Sequence, residues 1–263
     1  MSTAMSVSAR GRMLIGGVSV AAVLALWAVA TPWGWVDAQT FPSPKQFGSA
    51  AGQVLWGEGY ADGMLVQHLL HSLKLIVLGF AAASGVGVPL GLWMGWSRRA
   101  EAFVNPIFML IRPIPALAWI PLAIVWLGLD DASKVMIMWF AAFVPSVINS
   151  YSGVRTIEPQ LIEASRMLGI GRRALITDVI VPGALPSIFT GLRLSLQGCL
   201  TALVAAELLG AVLGLGKVLY QAGLDIYPAM ILVGMVSVGI VGFLLTLLLT
   251  LAERLSMPWR RAD

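Results

Sequence analysis

The chain has 263 residues, 58% hydrophobic and only 11% charged, with a mean hydropathy of +0.86. A soluble globular domain is nearer about half apolar and about a quarter charged, so the composition excludes a soluble enzyme and marks an integral membrane protein. The net charge of +4 is small and falls between apolar runs, where membrane orientation accounts for it better than nucleic-acid binding.

Residues 1–12 are polar and small, with Arg10 and Arg12, and Met13 to Ala30 is long enough for a first span. Ala28-Val29-Ala30 also resembles a signal cleavage site, but the run is long for a signal and Pro32 follows closely, which favours a retained span. Pro32 to Gly63 reads as an external loop with a short surface helix near residues 46–56. His68 and His71 stand three apart without the further ligands a metal needs, so they read as interfacial or structural.

Leu75 to Trp96 is a second span of roughly 33 Å. Gly79, Ala83, Gly87, Gly91 and Gly95 recur along it every four residues, a ridge that lets another helix approach closely. Pro89 predicts a kink there.

Asn105 to Leu127 is a third span broken by Pro106, Pro113, Pro115 and Pro121. Carbonyls freed by that many prolines must find protein or water, so this span should line a cavity or a subunit contact. Arg112 reads either as a cytoplasmic-interface residue or as part of a polar pathway.

Gly128 to Lys134 is a short loop, and Val135 to Ser150 a short fourth run with Pro145 and Asn149 near its end. Leu185 to Leu209 is a fifth span with two small-residue rows, Gly198, Ala202, Ala206, Gly210 and Gly191, Ser195, Cys199. Cys199, the single cysteine, excludes an intramolecular disulfide and reads as a packing residue. Gly214 to Tyr227 is an outer re-entry region and Pro228 to Leu251 a sixth span. Glu253, Arg254, Arg260 and Arg261 close the chain.

Between spans four and five lies the longest segment that suits a helix and cannot sit in lipid, Glu163 to Pro182. Pro159 suits a first helical turn, with Glu158 at its positive end. Leu161, Ala164, Ser165 and Leu168 form one narrow apolar face. Gly169 and Gly171 supply a left-handed stop, and a second short helix runs from Arg172 towards Pro182. The expectation is a compact docking element on one aqueous side. With the N-terminus inside, the inner segments hold Arg10, Arg12, Arg98, Arg99, Arg155, Arg166, Arg172, Arg173, Arg254, Arg260 and Arg261. The outer ones hold Lys45, Lys74, Lys134 and Lys217. That bias puts both termini and the docking element in the cytoplasm.

The segment Ala211 to Val218 lacks the first glycine and the Ser/Thr of a phosphate loop, and no serine–histidine–acid set is recognisable. Energy must come from an ion gradient or a partner.

Glu163-Ala164-Ser165, three residues, Gly169, nine residues, then Val179 and Val181-Pro182 resemble the cytoplasmic loop E-A-A-x3-G-x9-I-x-L-P of permease subunits of binding-protein-dependent ABC importers. Ser replaces the second Ala, and Val replaces Ile and Leu. Arg112-Pro113-Ile114-Pro115 through Leu122, Trp126-Leu127-Gly128, Ser133-Lys134, Gly183-Ala184-Leu185-Pro186, Thr190-Gly191-Leu192-Arg193, and Ala205-Ala206-Glu207 with Gly214-Leu215-Gly216 resemble the nitrate/sulfonate/taurine permease group.

The resemblance implies an all-α integral membrane protein of the bacterial inner membrane. It has six transmembrane helices, cytoplasmic termini and a coupling helix between spans four and five. Residues 1–263 form one transmembrane domain, with a first span at 13–31, a core at 65–252 and a coupling loop at 154–184. It implies a non-catalytic subunit paired with a second copy of itself, two ABC ATPase subunits that bind ATP and Mg, and a soluble or lipid-anchored solute-binding protein.

The ATPase-coupling residues would be Glu163, Ala164, Ser165, Arg166, Leu168, Gly169, Gly171 and Arg172. Arg112, Trp119, Asn149, Arg193 and Glu207 are candidates for a translocation path, with Arg112 and Arg193 also read as interfacial anchors and Glu207 as a helix-pairing or gate residue. Substrates of the group are small anions: taurine, alkanesulfonates, nitrate, bicarbonate and aromatic acids. An ion-coupled secondary transporter or a channel is the competing class, and co-purification of an ATPase separates them.

Overall fold

A computed structural model describes residues 9–31, 41–208 and 210–259. Residues 32–40 of the expected outer loop, Leu209, Arg260 and Arg261 lie outside the described residues, as do the side chains of Arg10 and Arg12. Among the described residues every regular element is helical, apart from an isolated bridge between Tyr60 and Gly63.

Helix α1 (Ala9–Ala30) leads to α2 (Pro44–Trp56). Ser43 and Gln46 form a reciprocal capping box and Pro44 takes the first turn, which fixes where α2 starts. This helix does not merely lie on a surface: Ala50 and Val54 are buried. Trp27 of α1 donates its indole N–H to Pro42 O at 2.9 Å and stacks edge-on to Phe47.

The core is a layer of three long helices: α3 (Leu65–Trp96), α6 (Asp131–Arg155) and α9 (Val181–Glu207). Helix α6 lies in the middle. The expected glycine ridge of α3 meets it: a Cβ added at Gly79, Gly87, Gly91 or Gly95 would come within 2.5–2.8 Å of Met138, Ser146, Val147 or Val154. On the other side, Gly191 and Gly198 of α9 back onto Asn149 and Ala141. Ser195 Oγ donates to Ala142 O at 2.7 Å and lies 2.8 Å from Ser146 Oγ. Cys199, fully buried, reaches Met138 O. Without a hydrophobic drive between helices in lipid, such close backbone packing supplies the attraction. Gly210 lies past the end of α9 and is exposed, so it extends no row.

Among the described residues, four helices are long and apolar enough to cross a membrane: Leu65–Trp96, Asp131–Arg155, Arg172–Glu207 and Pro228–Ser256. The last is α11. The expected third span is instead α4 (Arg98–Ile111) followed, past a 3-10 turn at Ala116–Trp119, by α5 (Ile120–Leu127), a pair bent by 79°. The break falls at Pro113 and Pro115, as their missing N–H groups require. Ile15–Ala30 is a shorter apolar helix.

The fourth span is longer than its apolar run, because Asp131 in the first turn and Arg155 in the last complement the helix dipole. The second begins at Leu65 rather than Leu75, with polar residues in its first turns. The region after α9 folds as α10 (Leu215–Leu224) against α3, α9 and α11.

Candidate functional site

At one end of the bundle, α3 meets α4, α6 ends, and α9 begins. Here α7 (Pro159–Met167) protrudes, with Glu158 before it and Pro159 at its first position. The expected apolar face does not stay together. Ser165 is only 5% exposed and turns towards the body of the protein, its hydroxyl donated back to Leu161 O at 2.7 Å. Leu161, Ala164 and Leu168 face outwards. Met167 at 90% and Leu168 at 81% exposure are bare apolar tips.

Gly169 (φ +73°) makes the left-handed stop, and Ile170 N closes the turn on Ser165 O at 3.2 Å. Gly171 does not share that role: with φ −66° it caps the next helix. The expected separate second helix is also absent. Helix α8 (Arg172–Ala174) passes through a widened π turn at Leu175–Ile180 straight into α9, 36 residues in all. The widened turn lies just ahead of Pro182, which has no N–H to give the Asp178 carbonyl four residues back, and Val181 N–H bonds Ile176 O five residues back instead.

Glu163 and Arg166 form no ion pair with each other. Arg166 instead joins Arg98, Arg99 and Arg172 around a cleft of about 660 Å³. Glu101 accepts a hydrogen bond from the Tyr151 hydroxyl and lies 3.8 Å from Arg155, tying α4 to the end of α6.

The opposite end carries a polar latch that the sequence reading did not assemble. Glu207, 1% exposed, accepts from Ser72 Oγ and from Gly216 N, both at 2.7 Å. Ser72 Oγ accepts from Leu215 N at 2.9 Å, and His68 Nδ1 accepts from Gly214 N at 3.0 Å. His68 Nε2 lies 2.9 Å from Tyr60 O, so the neutral ring holds its proton on Nε2. A Cβ at Gly214 would sit 2.3 Å from the Glu207 carboxyl. Glu207 thus straps the start of α10 to α3. Ser72, one turn beyond His68, was the available signal.

Nearby, Asp131 gathers His71, Lys74 and Lys134 within 3.1–3.6 Å. In the turns at this end, the Tyr60 hydroxyl donates to Asp225, and burial followed by that bond raises its pKa above the usual tyrosine value. Lys217 bonds Asp62 at 2.7 Å and lowers its pKa.

Between the ends, α4, the 3-10 turn, α6 and α9 surround an open cavity of about 400 Å³ lined by Arg112, Phe140, Pro145 and Thr201 among others. Of the five pathway candidates only Arg112 lines it. Trp119 stacks on the cavity residue Phe140 at 4.1 Å. Asn149 folds back on Pro145 O at 2.9 Å. Arg193 pairs with Glu253 near the end of α11. Arg112 follows the 14 residues of α4, about 21 Å from Arg98. Phe140 is fifteen residues from Arg155, about 22 Å along an α6 of about 37 Å. Arg112 thus lines its cavity beside the middle of α6, apart from Arg98 and Arg155.

Residues 87–262 match the family model for the binding-protein-dependent transport system inner membrane component. The chain is 35% identical over 241 residues to the taurine transport system permease protein TauC of Escherichia coli (strain K12), covering 92% of this chain and 88% of that protein. It is 33% identical over 242 residues to the putative aliphatic sulfonates transport permease protein SsuC of Bacillus subtilis (strain 168), covering 92% and 86%. It is 30% identical over 245 residues to the nitrate import permease protein NrtB of Synechocystis sp., covering 92% and 88%. In three dimensions it resembles a chain of the MetNI methionine ABC transporter in an inward-facing conformation, with TM-score 0.61 and 23% identity, over 73% of this chain and 95% of that one.

Proposed function

Because this chain belongs to the binding-protein-dependent transport system inner membrane components, we propose that it is the permease subunit of an ATP-driven importer for a small organic or inorganic oxyanion. A taurine- or alkanesulfonate-like solute fits best, with nitrate, bicarbonate or an aromatic acid as related possibilities within that chemistry. The names of its relatives support this class. In this reading α1, the bent α4–α5 pair and the four long helices make six spans with both termini cytoplasmic. Two copies enclose the path, two ATPase subunits bind ATP and Mg below them, and a solute-binding protein delivers the solute from outside.

One observation carries the reading: α7 presents Met167 and Leu168 bare, among arginines, at the end of a rigid continuation into α9. Exposed apolar tips on a charged element suit docking into a partner's groove. Glu163, Ala164 and Arg166 form the rim of that contact, and ATP-driven closure of the partner would pull α7 and rotate α9 with it.

The test is co-purification of an ATPase subunit in mild detergent, followed by ATP-dependent uptake in proteoliposomes. Glu163→Lys should leave insertion intact and separate hydrolysis from uptake. Uptake without any ATPase, or labelling of Arg172→Cys from the outer side, would sink the proposal.

A further inference from the structure

Arg112 presents a problem that its surroundings within one chain do not solve. Its side chain is exposed and, among the described residues, has no hydrogen-bond or ion-pair partner. It stands about 21 Å along α4 from Arg98, beside the middle of α6. Beside it the backbone of Pro113 to Pro115 is non-helical and exposed. Neither a bare guanidinium nor irregular backbone faces hydrocarbon: both belong where protein or a water-filled cavity covers them.

The cavity they border is lined by Ile114, Leu117, Phe140 and Val144 and contains no carboxylate. Thr201, on its wall, spends its hydroxyl proton on Gln197 O at 3.1 Å. Among the described residues, Arg112 is therefore the sole charged donor there. Glu207, the acid that would oppose an anion, is buried and bound to Ser72 and Gly216 outside this lining.

We propose that Arg112 is the anion station of the translocation path: two Arg112 side chains, one from each of two copies of this chain, face a shared aqueous cavity and hold a sulfonate, carboxylate or nitrate group in passage. This rests on the importer reading given above and deepens it. The guanidinium offers a planar fork that fits two oxyanion oxygens at once. Apolar walls strengthen its field. Because no second charged donor backs it among the described residues that line the cavity, the hold is transient, as passage requires.

The experiment uses the whole transporter in nanodiscs, with Thr201→Cys as the only reactive cysteine in a Cys199→Ser background. Two methanethiosulfonate probes are compared, one carrying a sulfonate and one a quaternary ammonium. Removing a full charge several ångströms from the sulfur, between low-dielectric walls, should change their rate ratio by roughly tenfold. Arg112→Gln is expected to lower the anionic-to-cationic ratio by about that factor, and Arg112→Lys to keep most of it. A ratio unchanged within about twofold, or a cysteine that neither probe reaches, overturns the proposal. Arg112→Cys should also cross-link two copies through a short bifunctional thiosulfonate; failure to do so refutes the shared cavity. None of these readouts needs transport, so a failed uptake assay would count against the importer reading alone.

Discussion

Replacing Gly91 by alanine tests whether the α3–α6 seam holds the core together. The added Cβ would lie 2.5 Å from Val147 O, 2.7 Å from Ser150 Cβ and 3.0 Å from Tyr151 N. Ordinary contact begins at 3.4 Å, so the helices must part by close to an ångström. Two of the three atoms are backbone and cannot swing aside. A gap of that size forfeits about a quarter to a half of each dispersion contact along the seam, and overpacking typically costs about 1–3 kcal/mol. Alanine's better helix propensity returns about 1 kcal/mol. The control is Gly85→Ala on the same helix, where nothing lies within 4 Å and only the propensity gain applies. The two variants should therefore differ by about 1–3 kcal/mol. Reversible unfolding in mixed micelles, or steric trapping in bicelles, measures that difference. Equal stabilities would refute the claim that backbone proximity holds these helices together.

The latch gives a second prediction: Glu207→Ala strands the buried N–H of Gly216 and the hydroxyl of Ser72, costing about 2–5 kcal/mol. Glu207→Gln, which keeps one acceptor, should cost less, and thermal melts of the two variants rank them. At the end of α7, Leu168→Asp lies in the open and should shift stability by no more than about 0.5 kcal/mol. It should abolish ATPase co-purification, and retention of the ATPase would remove α7 from the interface. The pH dependence follows from Tyr60, whose folded pKa is raised by burial and by its bond to Asp225. Its stabilisation is complete below the usual tyrosine value of about 10 and is lost as pH rises above it. Tyr60→Phe should flatten that alkaline fall in melting temperature.

Membrane class, the existence of the apolar spans and the polar helical segment between two of them were legible in the linear chain, because each depends on local composition or period. Length and hydropathy alone decide whether a helix prefers lipid, and the small residues of α3 lie on one face at a spacing of four wherever the helix goes. The basic residues near α7 were equally plain. The same reasoning missed where α7 divides its faces: Ser165 and Leu168 share a periodic stripe, yet one turns to the protein and the other to open space.

Which polar groups meet was decided only by tertiary structure. Ser72 and Glu207 are 135 residues apart, Arg193 and Glu253 60, and nothing in either local stretch encodes the partner. Likewise the prolines near Arg112 announced a break without giving its 79° bend. At that bend the arginine, which ends α4, lines one cavity with Phe140 and Thr201. A charge's depth in a membrane depends on the path its helix takes, and that path is a property of the assembled bundle.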